Sequence, residues 1–177
     1  ALDEMTLTLH AGIDGQLWSL NGNHFKRLNL FEEQGFLGIE THTQEFKIQL
    51  DVICSLKLTG KEHYEENNRK QNRRLIKELH FHLDAGEAVT LEQTMVVYHS
   101  NDVPDPRQAA IADANKALDT GFDALYAAHQ PHWDRIWEAC DIQIDGNLEA
   151  QTLTRFNLYQ ATIATPTHAK LPIGARG

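Results

Sequence analysis

Phe46-Lys47-Ile48-Gln49-Leu50-Asp51-Val52-Ile53-Cys54 carries an apolar side chain at every even position, the period of two by which a β-strand buries one face. Its odd positions are largely polar, so the pattern predicts a strand with one buried and one wet face. The same alternation recurs where Leu79, Phe81 and Leu83 interleave with Glu78, His80 and His82, and again in Val89 to Tyr98. Between those two runs, Asp84-Ala85-Gly86-Glu87 has turn chemistry and predicts a hairpin. Met5 to His10 and Phe36 to Thr43 read as further strands, with Gly12, Gly15, Gly22 and Gly35 in turns. Alternation sustained over about 100 residues predicts an antiparallel β-sandwich, the completeness of its sheets being left open.

The pattern breaks at Asn101-Asp102-Val103-Pro104-Asp105-Pro106, where two prolines withhold amide donors and Asp105-Pro106 offers an N-cap followed by proline at the first helical position. Arg107 to Asp119 is rich in alanine and predicts a helix closed by Gly121. Phe122, Leu125, Tyr126, His129, Trp133, Ile136 and Trp137 recur at helical spacing, with Pro131 expected to kink or restart that helix. Asp141 to Gly146 alternates as a short strand. Asn147 then caps a helix that gathers Leu148, Thr152, Phe156, Tyr159 and Ile163 on one face. The expected organisation is a mainly β chain with helices: a β-sandwich portion at 1–104, a helical linker at 105–140, and a short strand and helix at 141–177.

A net charge of -9 works against phosphate backbones and anionic lipid heads, so neither nucleic acid nor membrane is an expected partner. The basic cluster Arg69-Lys70 with Arg73-Arg74 follows Glu65-Glu66-Asn67-Asn68 and reads as a solvated loop before a strand. No run approaches the roughly 20 apolar residues that span a bilayer, and Ala1 to His10 lacks the pattern of a signal peptide. Cys54 and Cys140 stand far apart without metal-ligand spacing, which favours reduced thiols and the cytoplasm.

The order of motifs toward the end of the chain is the most specific signal. His132-Trp133-Asp134-Arg135-Ile136-Trp137 leads to Asp141-Ile142-Gln143-Ile144-Asp145-Gly146, then to Gln151 and Arg155-Phe156-Asn157-Leu158-Tyr159-Gln160, and finally to Ile173-Gly174-Ala175-Arg176-Gly177. This series resembles the passage into the catalytic barrel of glycoside hydrolase family 65, and Gly121-Phe122-Asp123-Ala124-Leu125 resembles the family's linker helices. The resemblance covers about Ala109 to Gly177. It implies a parent disaccharide phosphorylase, acting on an α-linked glucose disaccharide such as maltose, trehalose or kojibiose with inverting attack by inorganic phosphate. It further implies an N-terminal β-sandwich, linker helices and the first helix of a truncated (α/α) barrel. The general acid and the phosphate loop lie beyond Gly177 in that family, so no catalytic, cofactor or metal-ligating residue is carried over. This chain alone is expected to be inactive scaffolding within a homodimeric parent.

The remaining candidates read more simply as structure. Asp141 and Asp145 are too close to turn features to serve as an acid pair, and Glu32-Glu33 before Gly35 reads as an exposed turn. His80 and His82 share a strand face with Glu78 but show no third ligand. His129 and His132 flank Pro131 without a metalloprotease pattern, and Trp133 and Trp137 fall on a helical burial stripe. Trp18, in a turn-rich segment, is the one candidate for a sugar or subunit contact. Two other classes stay open: a self-contained carbohydrate-binding module, which would avoid exposing the stripe of the last helix, and part of a family hydrolase using water.

Overall fold

The computed structural model describes residues 1–16, 22 and 24–165. The chain divides into two compact units, Ala1–Phe122 and Asp123–Gly177.

Among the described residues the first unit contains seven strands, β1 (Met5–Asp14), β2 (Phe25–Glu33), β3 (Phe36–Thr43), β4 (Gln49–Thr59), β5 (Glu65–Gln71), β6 (Arg74–Leu83) and β7 (Thr90–His99), followed by helix α1 (Pro106–Thr120). They form two antiparallel sheets, a small one in the order β1-β6-β5 and a larger one in the order β2-β3-β4-β7. Two tight hairpins set the local register. Gln34 and Gly35 both have positive φ, 52° and 83°, between paired Glu33 and Phe36. Asn72 and Arg73, at 50° and 67°, do the same between Gln71 and Arg74. Two central residues with φ above zero match the twist that joins neighbouring strands.

The second hairpin overturns the solvated-loop reading of Glu65 to Gln71. That segment is an edge strand, exposed along its whole length, because β6 supplies a ladder for its backbone even though neither face has apolar side chains to bury. The hairpin expected around Asp84 to Glu87 is also overturned. β6 is the middle strand of its sheet, with β1 and β5 occupying both edges, so the chain crosses to the other sheet and β7 pairs with β4.

The interior lies between the sheets, where Ile13 and Leu75 pack with Leu37, Ile39 and Cys54, and Leu79, Phe81 and Leu83 form a neighbouring cluster. A second layer lies on the opposite face of the larger sheet. There Ala110, Ile111 and Ala114 of α1 are buried against Phe31, Phe36 and Ile53. Burying a side chain such as Ile111 contributes about 1.5–3 kcal/mol. This layer corrects the expectation of a wet odd face on β4: Ile53 is 0% exposed and packs against α1, and Asp51, two residues earlier on the same face, is also 0% exposed. The strand also begins at Gln49, not Phe46; Lys47 has φ 56°, and Phe46 is 78% exposed. α1 has the expected caps, with Asp105 accepting from Gln108 N, Pro106 in the first turn and Gly121 at φ 77°. By packing it joins the sheets, so the first unit extends to Phe122, past the prolines at 104–106.

The second unit contains α2 (Phe122–Cys140) and α3 (Leu148–Ala164). α2 runs as one helix through Pro131, without a restart. Asn147 caps α3 by accepting from Ala150 N at 3.0 Å. The short strand expected at Asp141–Gly146 pairs with no other strand among the described residues. The side-chain amide of Gln151 takes a strand's place: its Oε1 accepts from Ile144 N at 2.6 Å, and its Nε2 donates to Ile142 O at 2.8 Å.

Candidate functional site

The small sheet presents a polar outer face. Thr6, Thr8 and His10 of β1 stand opposite His82, His80 and Glu78 of β6. The Thr8 hydroxyl lies 2.9 Å from His80 Nδ1, and the Thr6 hydroxyl 3.2 Å from His82 Nδ1. With the threonines donating, the Nε2–H of His82 faces Asp84 at 3.5 Å and Glu4 at 3.7 Å. A shallow depression of about 460 Å³ includes Thr6, His63, Tyr64, Glu65, His80 and His82 in its lining. Among the described residues no group of three His, Cys, Asp or Glu side chains is disposed to hold a metal ion. His80 and His82 are the cross-strand hydrogen-bond partners of Thr8 and Thr6.

The basic cluster is neutralised one ion pair at a time: Arg69 with Glu78 at 3.3 Å, Lys70 with Glu32 at 3.3 Å and Arg74 with Asp14 at 2.8 Å. Arg73 donates to Gly15 O. Glu32 and Glu33 correspondingly close β2, where Glu33 is 2.6 Å from Arg107 and only Gln34-Gly35 form the turn. Arg107 lies 3.5 Å above the centroid of Phe31, tying α1 to the sheet by charge and by ring contact.

On the same face of β4 as Ile53, Asp51 stands directly opposite Glu40 and Tyr98 on its two neighbouring strands. Gln49 donates to its Oδ2 at 2.8 Å, while Oδ1 is buried without a hydrogen-bond partner. Burial pushes the Asp51 carboxyl above the ordinary range; the Gln49 bond opposes that shift and the nearby Glu40 adds to it. Nothing in the strand's alternation singled out this residue, apart from an acid in the middle of an apolar run.

A glycosidic general acid needs a raised pKa and must also reach the leaving oxygen. Asp51 has the first property, but is 0% exposed. Other acids are shifted the opposite way by their partners. The amide of Gln16 lowers Asp14, Asn68 lowers Glu32, Lys61 lowers Glu87 and Arg155 lowers Asp141. Asp141 receives two bonds from Arg155, at 2.8 and 2.6 Å, and anchors the extended segment to α3. Trp133 packs against Tyr159, Trp137 and His129 with ring centroids 5.4, 6.2 and 6.0 Å away, joining α2 to α3. Trp18 and Ile173 to Gly177 lie outside the described residues.

No helix among the described residues is long and apolar enough to cross a membrane. The chain is 36% identical over 171 residues to 1,2-α-glucosylglycerol phosphorylase of Bacillus selenitireducens, covering 96% of this chain and 22% of that protein. It is 26% identical to nigerose phosphorylase of Lachnoclostridium phytofermentans, covering 97% of this chain and 26% of the relative. The chain thus spans about a quarter or less of these relatives' length. A solved structure from the human microbiome, whose name refers to kojibiose phosphorylase, superposes with a TM-score of 0.70 at 16% identity, over 90% of this chain and 21% of that one. The family model described as the glycosyl hydrolase family 65 N-terminal domain matches residues 1–136. With a strand-rich unit of two antiparallel sheets across most of that match, the chain belongs to glycosyl hydrolase family 65 and includes its N-terminal domain.

Proposed function

We propose that residues 1–177 are the non-catalytic N-terminal portion and linker of an inverting phosphorylase that cleaves an α-linked glucoside with inorganic phosphate. The observation that carries this reading is the similarity along 96% of the chain to a glucosylglycerol phosphorylase, accompanied by similarity to a nigerose phosphorylase. In the reaction, a phosphate oxygen bonds to the anomeric carbon as the glycosidic bond breaks, and a general acid outside this chain protonates the leaving oxygen. The sheets and α1 act as a preformed scaffold in a cytoplasmic homodimer, and α3 is the first helix of an (α/α) barrel. Its exposed Leu148, Phe156 and Ile163 support that role, since they are 82%, 56% and 50% exposed and need a covering surface. That same stripe weighs against a stand-alone carbohydrate-binding module.

The test is to express the parent polypeptide and supply glucosylglycerol, kojibiose, nigerose, trehalose and maltose with and without phosphate. Phosphate-dependent formation of β-glucose 1-phosphate is expected from the parent and none from residues 1–177. Release of free glucose without phosphate would assign a hydrolase, and turnover by this chain alone would refute the scaffold reading.

A further inference from the structure

The outer face of the small sheet carries more hydrogen-bonding groups than its cross-strand bonds consume. His80 stands between Thr8 of β1 and Glu65 of β5 on one rung, and His82 opposite Thr6 on the next but one residue of β6. With each threonine hydroxyl donating to Nδ1, both neutral rings are held as the tautomer that carries its proton on Nε2. The Nε2–H of His82 faces Asp84 and Glu4. His80 forms no ion pair among the described residues, so its Nε2–H is left as a donor to a ligand. The depression these rings line continues to Glu62, His63 and Tyr64, in the connection between β4 and β5. That connection is pinned: Lys61 is 2.8 Å from Glu87, whose carboxylate also accepts from Asp84 N at 2.8 Å. A Cβ on Gly60, at φ 89°, would lie 2.6 Å from the carbonyl of Ala88. The wall that presents Tyr64, itself 39% exposed, is therefore set before any ligand arrives.

We propose that this depression is a saccharide-binding site that takes a neutral glucoside. The Nε2–H of His80 donates to a sugar hydroxyl, the carboxylates of Glu62 and Glu65 accept from others, and Tyr64 offers its ring to the apolar C–H face of the sugar. A hydroxyl both donates and accepts, so a ligand rich in hydroxyls uses imidazole and carboxylate side by side. Carboxylates on two sides of the depression disfavour a phosphate ester or another anion. A metal ion is disfavoured as well, since no three ligating side chains converge among the described residues. The volume of about 460 Å³ falls within the roughly 300–1,000 Å³ of small-molecule sites. The choice of glucosides among saccharides rests on the proposed function; the site's preference for a neutral polyol rests on its own side chains.

The experiment titrates residues 1–177, carrying isotope-labelled histidine, with kojibiose, nigerose and glucosylglycerol, and follows the ring nitrogens of His80 and His82 by NMR. Protons on Nε2 of both rings in the free chain report that the sheet has formed. Saturable shifts at His80 are expected, with a dissociation constant on the order of 1 mM. Tyr64→Ala and His80→Ala, both at exposed positions, should each weaken binding roughly tenfold, read for the second from the His82 signals. Thr8→Val should weaken it too, with the His80 nitrogens showing mixed tautomers. No saturable shift at sugar concentrations about tenfold above that constant overturns the proposal, as do equal shifts with sorbitol, a proton on Nδ1 of His80, or undiminished affinity in Tyr64→Ala. Turnover by the parent is read separately. Phosphorolysis without binding here overturns this site and leaves the proposed function standing, and binding without phosphorolysis does the reverse.

Discussion

Replacing Asp51 with Asn should make the first unit more stable at neutral pH, although it removes a charge from a sheet that carries several ion pairs. Asp51 is 0% exposed, one of its carboxylate oxygens has no partner, and Glu40 stands directly across the ladder. Burial raises its folded-state pKa above the reference value of 3.8, so between that value and the folded one the native state binds more protons than the unfolded chain. The stability contributed by the neutral carboxyl is complete below the unfolded pKa and is lost as pH rises through the folded pKa. Asparagine keeps an oxygen for Gln49, turns an amide toward the side of Glu40 and carries no charge to desolvate. The cost of an unsatisfied buried polar group is about 1–3 kcal/mol, and recovering part of it is worth roughly 3–8 °C in Tm for a unit of this size. Thermal unfolding followed by circular dichroism from pH 4 to pH 8 measures the gap between Asp51→Asn and the parent sequence. The gap should be widest at the alkaline end and shrink toward acid pH. A variant less stable at pH 8, or a gap independent of pH, would refute the assignment and make Asp51 a useful counter-ion for Arg107.

Gly38→Ala tests the approach of β2 to β3, because a Cβ there would lie 2.2 Å from the Phe31 ring, itself held beneath Arg107; a loss of about 1–3 kcal/mol in chemical denaturation is expected, and a neutral result would show that the ring moves freely. Gln151→Ala removes both bonds to the extended segment, so the Ile144 amide should exchange with solvent faster while β3 amides are unchanged; unaltered exchange at Ile144 would show that the side chain is not its partner.

Short-range features of the fold were legible residue by residue. Phe36 to Thr43 forms β3 over that span, Asp105 and Gly121 cap α1, and Asn147 opens α3, because alternation and capping depend on positions a few residues apart. The packing of Trp133 beside His129 was readable for the same reason. The candidate at Trp18 falls outside the described residues and gains no structural support.

Sequence by itself determined which residues alternate, where the helices begin and which family the motif order resembles. Tertiary structure alone decided each strand's neighbour and what covers its second face. A period of two specifies a face, but not a partner: β7 could be drawn beside β6 until β1 and β5 were seen to occupy both of its edges. The odd face of β4 read as wet because the helix that packs against Ile53 lies more than 50 residues later in the chain. Charged Glu65 to Gln71 became a strand because β6 offers it hydrogen bonds, an interaction that side-chain hydropathy does not record.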